Sequence, residues 1–398
     1  MEKLKILCCP ANEGGCAYYR AWAPFAKLAE KYPELIEVKF EMNPLSLNTS
    51  SGEFEEGFDF ADMKWADVVF THNISNWGGP YTARIIGKAK EFGKFVHYDT
   101  DDLLTDLYEG HRLKQVYEER GLIETTKFIY AHADLTTVTQ RKFAHRIKDF
   151  CGGVLAVAKN AIDYDLDNWN HDKVPPRKKR LVRIGWAGGI HHEEDVKEFA
   201  GIPHYVNQRV GRENVEWHFF GRPPIDPNDE KEKWQLDVWD NYKRILLQGF
   251  KGAKNWFIHP ALPSDQYGVI FANMDLAIAP LQMNNFNDSK SEIKVAECGR
   301  YSVPLVASDV GCYDETIING KTGYLIPHDA PKSEWVKILT RVIKDKKHRE
   351  QMGNNLHTVT EEYFDLNKVI PQRLNLYKDA FELGGHEELS EKLKDFSV

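Results

Sequence analysis

Twelve short strand-like runs, most of them separated by stretches of helical character, constrain the fold of this chain more than any other feature. Six lie at 4–8, 36–40, 67–71, 94–98, 134–138 and 154–158. The others begin at Leu181 and continue at 215–220, 256–259, 275–279, 304–307 and 323–326. Buried strands alternating with helices make a parallel sheet with helices on both faces. A chain of 398 residues is too long for one ordinary core, and the polar, Pro-containing stretch 163–180 falls between the two series. Two α/β domains are expected, with a boundary near Arg177.

Composition removes some functions. Hydrophobic residues at 42% and charged residues at 28% exclude disorder of the whole chain. A formal net charge of -8 argues against broad binding to nucleic acid or to an anionic membrane. The dense basic run at 177–180 follows two prolines and leads into a strand, which makes a solvated linker its simplest meaning. Cys8, Cys9, Cys16, Cys151, Cys298 and Cys312 form no C-x-x-C pair, as expected of reduced thiols in the cytoplasm. The apolar run at the start is too short for a signal peptide, and no later run reaches the length of a membrane span.

Ligands of parallel sheets sit beyond the carboxyl ends of the strands, so those ends are the places to search. After the first strand, Gly14 and Gly15 make a turn into a helix carrying Tyr18, Tyr19 and Arg20. Such a turn lets backbone N–H groups approach phosphate, although a structural turn is an equal reading and no G-x-G-x-x-G fingerprint is present. Polar clusters end three further runs: Thr71-His72-Asn73, 98–102, and Lys159-Asn160. Asp99, Asp101 and Asp102 repel one another unless a cation, a proton or hydroxyl groups share their site. Binding of polar hydroxyl compounds, helix capping and a metal site of the D-x-D kind are the readings that this cluster leaves open. In the second half Gly188 and Gly189 end a strand before His191, His192 and an acidic helix start, and Gly221-Arg222 ends the next. Adjacent imidazoles do not readily face one ion, so hydrogen bonding of His192 to phosphate or sugar is preferred to a metal role.

The most informative stretch is Asn287 to Glu297. Ser289 and Glu292 have the S-x-x-E spacing of a capping box, which predicts a helix from about Lys290. Lys290, Lys294 and Glu297 then share one stripe, where a first-turn lysine implies an anion above it. A plain i,i+3 surface pair between Lys294 and Glu297 is the alternative.

With the run 303–308 that follows, this passage resembles the donor-binding segment of retaining GT-B glycosyltransferases of the family 4 type. Glu297 matches the second Glu of that family's E-x7-E motif, which holds the ribose of a nucleotide sugar; Ser289 stands in place of the first. Lys290, Ser291, Lys294 and Glu297 match a subgroup reading K-S-x-x-K-x-x-E. Ser302 replaces the Gly expected before the strand, and Gly189 replaces the Arg expected after the first strand of the donor domain. Neutralising a diphosphate then falls to Lys290, Lys294 and Arg222. The resemblance spans nearly the whole chain, strongest at 275–327 and weakest at 103–119.

The resemblance implies two Rossmann-like domains facing across a cleft: an acceptor domain at 1–177, a nucleotide-sugar domain at 178–364, and a segment at 365–398 whose helix crosses back, with a charged, mobile tail. It implies transfer of a hexosyl or pentosyl group to a hydroxyl with retention, without metal or other cofactor. Asp99, Lys290 and Lys294 form the expected catalytic set. Gly14, Gly15, Gly188, Gly189, His192, Gly221, Arg222 and Ser291 join Lys290, Lys294 and Glu297 at the donor, and Tyr18, Arg20, His72, Asp99 and Asp101 face the acceptor. That acceptor is a glycan, a lipid-linked sugar or another hydroxyl compound, with a nucleic acid open but not favoured. A GT-B epimerase or phosphorylase, or a sugar-nucleotide-binding protein without catalysis, is the alternative.

Overall fold

The computed structural model describes residues 2–47, 58–73, 79–170, 181–226, 228–230, 232–250, 255–394 and 396. Strands β1 (Leu4–Cys9), β2 (Ile36–Phe40), β3 (Val68–His72), β4 (Phe95–Thr100), β5 (Leu135–Val138) and β6 (Val154–Val157) form a parallel sheet in the order β2-β1-β3-β4-β5-β6. Strands β7 (Val182–Ala187), β8 (Val215–Arg222), β9 (Trp256–Pro260), β10 (Leu276–Ala279), β11 (Leu305–Ser308) and β12 (Gly323–Ile326) form a second, in the order β12-β11-β10-β7-β8-β9. Every expected run is a strand, with small shifts at the ends. The boundary near Arg177 and the basic run at 177–180 lie outside the described residues.

Both faces of each sheet are covered, and the strand period of two divides the side chains between them. In β1, Leu7 and Cys9 enter one core while Leu4, Ile6 and Cys8 enter the other. In β8, Trp217 and Phe219 go one way and Phe220 the other. The order of connection reverses between β1 and β3, and again between β7 and β10. Those two reversals open crevices at the carboxyl ends of the strands.

The helix Leu366–Leu383 closes a core of the first sheet with Leu366, Ile370, Leu374, Tyr377 and Phe381. Its register is fixed at both ends. Ile162 donates its backbone N–H to Phe364 O and accepts one from Leu366, each at 2.9 Å. Farther along, the Tyr377 hydroxyl meets His97 Nδ1 at 2.7 Å inside the core. The last residues differ from the expected mobile tail: Glu387–Lys392 is a helix, and Leu393 and Phe396 are buried against the first sheet. Apolar side chains in a charged stretch anchor it. The first part of the expected linker is also packed, since Trp169 is fully buried and stacks on Phe271 and Tyr301. A further helix, Lys346–Tyr363, fell in a stretch whose polar face hid it from the sequence reading.

The expected helix from Lys290 is corrected. A short helix, Asn285–Asp288, comes first, capped by the Asn284 side chain accepting from Asn287 N at 2.8 Å. A turn follows, and the next helix is Ile293–Arg300. Neither half of the capping box performs that job. The buried Ser289 hydroxyl donates back to Asn285 O at 2.8 Å, and Glu292 receives the Cys312 thiol at 2.5 Å and Lys159 at 3.3 Å. Ser302 holds the left-handed φ of 54° that would suit a glycine. Its carbonyl lies 1.9 Å from where a Cβ on Gly353 would stand, so helix Lys346–Tyr363 packs onto that turn through a glycine.

Candidate functional site

The carboxyl ends of the two sheets face each other, and the segment after β10 lines one wall. From helix Ile293–Arg300, Lys294 Nζ donates to Glu297 Oε2 at 2.7 Å and to the Tyr267 hydroxyl at 2.9 Å. Tyr19, from the opposite wall, donates its hydroxyl to Glu297 Oε1 at 3.1 Å. Glu297 is 1% exposed. Burial pushes its carboxyl up, and Lys294 holds it part of the way back; burial lowers the Lys294 ammonium, and Glu297 more than offsets this and raises it. The i,i+3 pair therefore exists, but in a buried cluster drawn from both walls rather than on a solvated face.

Lys290 is displaced from the helical stripe by the turn. Its ammonium lies 4.5 Å from the centre of the Phe286 ring and 3.1 Å from Asp102 Oδ1 on the opposite wall. Desolvation lowers its affinity for a proton, but Asp102 and Asp195 outweigh that and raise it. The acidic cluster caps no helix, since turns follow it and the next helix is Lys114–Glu119. Instead its three carboxylates have three different partners. Asp99 pairs with Arg20, Asp102 with Lys290, and Asp101 Oδ1 lies 3.6 Å from His72 Nε2 and 3.3 Å from Asn73 Nδ2. Burial pushes Asp101 up, and His72, Cys16 and Arg20 together more than reverse this, leaving the carboxyl below its usual range. His72 is 1% exposed.

Arg20 and Asp99 are both fully buried. Arg20 Nε donates to Asp99 Oδ1 at 2.8 Å and Nη2 to Oδ2 at 2.5 Å; Nη1 donates to Ala158 O and to Asn160 Oδ1. Thr137 completes the set with a 2.5 Å hydrogen bond to Asp99 Oδ2. A π-helical turn, Tyr18–Trp22, makes this possible: the widened turn sends Tyr19 to Glu297 while Arg20 points into the sheet. The expected catalytic Asp99 thus spends its oxygens on Arg20 and Thr137, beneath the wall rather than on it. Tyr18 is half-buried, its hydroxyl pushed up to about 12 by burial and by Asp163 and Asp265. Gly14 donates its N–H to Asn12 Oδ1 at 2.7 Å, and Gly15 opens the helix with no atom near its missing Cβ.

At the second reversal Gly188 and Gly221 form the floor. A Cβ on Gly221, whose φ is 121°, would meet Gly188 O at 2.0 Å, and Gly188 donates its N–H to Phe220 O at 3.1 Å. Gly189 faces open space, and Arg222 ends β8 exposed. Beside this floor His192 Nδ1 lies 2.7 Å from Asp195 Oδ2. His191 stacks near-parallel with His111 of the opposite wall, and burial lowers both imidazoles to about 4. Ser291 accepts from Asn160 Nδ2 at 2.8 Å, which ties the segment after β10 to the stretch after β6. Among the described residues, no cluster of three or more His, Cys, Asp or Glu side chains could hold a metal ion.

Tyr267 was not singled out from sequence, and Asp102, Asp195, Asn160 and Asn287 stood only as members of polar runs, without the partners that the structure gives them. Their contacts join positions far apart in the chain, as with Tyr19 and Glu297 at a separation of 278, and leave no local pattern.

Residues 239–358 match the family described as glycosyl transferases group 1. That stretch contains Lys290, Ser291, Lys294 and Glu297. No curated protein matches the chain in sequence. Among solved structures, sucrose-phosphate synthase from Thermosynechococcus elongatus is similar with a TM-score of 0.66 at 12% identity, over 96% of this chain and 100% of that one. HepE from Anabaena, solved with UDP and glucose, gives 0.58 at 13% identity, over 94% and 99%. A glycosyltransferase from Rickettsia africae gives 0.55 at 11%, over 96% and 100%. At such identities these likenesses establish the fold, which is GT-B. No helix among the described residues is long and apolar enough to cross a membrane.

Proposed function

We propose that the protein is a retaining, metal-independent glycosyltransferase that moves a sugar from a nucleotide sugar to an acceptor hydroxyl. One observation carries this reading: a buried carboxylate, Glu297, is held at the cleft by Lys294 from its own helix and by the Tyr19 hydroxyl from the opposite wall, inside the stretch that matches the glycosyltransferase family. Glu297 accepts two ribose hydroxyls. Lys290 and Lys294 hold the diphosphate, which competes with Asp102 for Lys290. The bond between the sugar's anomeric carbon and the phosphate oxygen breaks while the acceptor oxygen bonds from the same face, and the leaving phosphate takes the acceptor's proton. Charge on that phosphate grows as the bond breaks, so nearby ammonium groups bind the transition state more tightly than the ground state. The acceptor lies against His72 and Asp101, and Arg20 with Asp99 fixes the wall beneath them. HepE's crystallisation with UDP makes a uridine donor the first to try. A cytoplasmic location, with reduced thiols, is part of this reading.

Glu297→Ala is expected to weaken the nucleotide sugar more than tenfold, because charge-assisted hydrogen bonds contribute about 1.5–3 kcal/mol. Calorimetry on the folded variant checks this. Unchanged donor affinity would remove the ribose role. EDTA should leave turnover nearly unaltered, since lysines supply the positive charge. Loss of turnover on chelation, restored by manganese or magnesium, would reassign the Asp101 and Asp102 carboxylates as metal ligands.

A further inference from the structure

His192 and Asp195 form a pair that the reading above leaves unused. Asp195 is 1% exposed, yet every one of its carboxylate contacts is directed. Oδ1 accepts from the Gln282 backbone N–H and from Asn287 Nδ2, each at 2.8 Å, and Oδ2 faces His192 Nδ1 at 2.7 Å. Gln282 and Asn287 belong to the segment between β10 and the Lys290 turn, while His192 and Asp195 follow β7. The carboxylate therefore stitches together the two strands between which the sheet reverses. The His192 backbone is held as well, its N–H donating to the Tyr242 hydroxyl at 3.0 Å. Against this rigid mounting, the His192 side chain keeps 26% of its surface exposed.

A carboxylate accepts only, so Nδ1 must carry a proton and Nε2 is the nitrogen left for a ligand. The groups around the ring are His191, Asp195 and the Trp186 ring from its own segment, and His111 and Asp102 from the opposite wall, with Lys290 acting on the neighbouring His191 and His111. His192 lies close enough to Asp102 for its charge to act on that carboxyl. Gly188 and Gly189, just before it, offer backbone without side chains, and no arginine stands in this turn. We propose that Asp195 is a positioning residue that fixes His192 to bind the donor's diphosphate as an imidazolium, Nε2–H donating to a phosphate oxygen. The inference rests on the donor-site reading and assigns a third cation to it. Between a carboxylate on one nitrogen and a phosphate on the other, the doubly protonated ring has a partner at each end. Binding of a fully ionised diphosphate then draws one proton from solution onto Nε2.

The test is calorimetry with UDP, ADP and GDP at pH 8 in buffers of different ionisation enthalpy, which counts protons taken up on binding. At this pH the terminal phosphate, with a second pKa of about 6, carries its full charge and takes no proton itself. Wild-type protein should take up close to one proton with whichever nucleotide binds. His192→Gln should abolish the uptake and lower affinity about tenfold or more. In Asp195→Asn the amide oxygen must still serve Gln282 and Asn287, which turns the NH2 toward Nδ1 and leaves that nitrogen bare. Uptake should vanish there too, with ¹⁵N imidazole spectra showing the proton moved to Nε2. Melting curves show whether each variant is folded, and His192→Gln, altered at a partly exposed side chain, carries the test if Asp195→Asn unfolds. Binding without proton uptake in the wild type, or uptake unchanged in His192→Gln, overturns this inference and leaves the donor site standing. Failure of all three nucleotides to bind overturns the donor site and this inference together.

Discussion

Lys290→Met and Lys294→Met should each reduce turnover by two or more orders of magnitude, an effect of at least about 2.7 kcal/mol on the barrier. Each ammonium interacts more strongly with the leaving phosphate as its charge grows, so kcat and kcat/KM should fall together. Stability separates this role from a structural one. Lys290 lies in a turn rather than in the first turn of a helix, so its removal gains nothing from the dipole and loses the pair with Asp102. That pair is about a quarter exposed on both sides, and solvent keeps its contribution below about 1 kcal/mol. Lys294→Met leaves Glu297 with only the Tyr19 hydroxyl and should cost more. Steady-state kinetics with parallel urea titrations decide the matter. Normal turnover in both variants would refute the phosphate role.

Arg20→Met is expected to cost about 3–5 kcal/mol, because it strands the fully buried Asp99 carboxylate. Asp99→Leu strands the guanidinium and should cost about as much, while the double change should cost less than the sum. Burial alone would push the Asp99 carboxyl up; Arg20 outweighs it and holds the carboxyl below its ordinary value. The pair's contribution is therefore complete above about pH 3.9 and is lost as pH falls through the depressed value. Urea midpoints measured near neutrality and in acid would show both effects. A loss under about 1 kcal/mol for Arg20→Met would mean that the pair is not what holds this wall.

The strands were legible because strands buried on both faces read as largely apolar runs, as in β10 (Leu276–Ala279) and β11 (Leu305–Ser308). The Lys294–Glu297 pair was legible because its spacing is local, while the turn before Ile293 carries Lys290 off their stripe. What failed had physical causes of two kinds. The capping box at Ser289 and Glu292 has the right spacing, but Asn285, Cys312 and Lys159 compete for those side chains, and only tertiary structure brings the last two near. Asp99, Asp101 and Asp102 read as one repelling cluster, whereas Arg20, His72 and Lys290 reach them from elsewhere in the chain and separate their roles. The tail at 384–398 reads as mobile from its charge, yet within it Glu387–Lys392 is a helix and Leu393 and Phe396 are buried against the first sheet.

The central claim is that Glu297 and its neighbours hold a nucleotide sugar from which the sugar is transferred. Its most direct test is release of free nucleoside diphosphate from a panel of nucleotide sugars, UDP-glucose first, with wild-type protein and Glu297→Ala side by side. The account predicts slow release from at least one sugar nucleotide, accelerated by an acceptor hydroxyl compound, insensitive to EDTA, and reduced more than tenfold at subsaturating donor in the variant. Donor binding without release would indicate a sugar-nucleotide-binding protein, and release equal in Glu297→Ala and wild type would contradict the site.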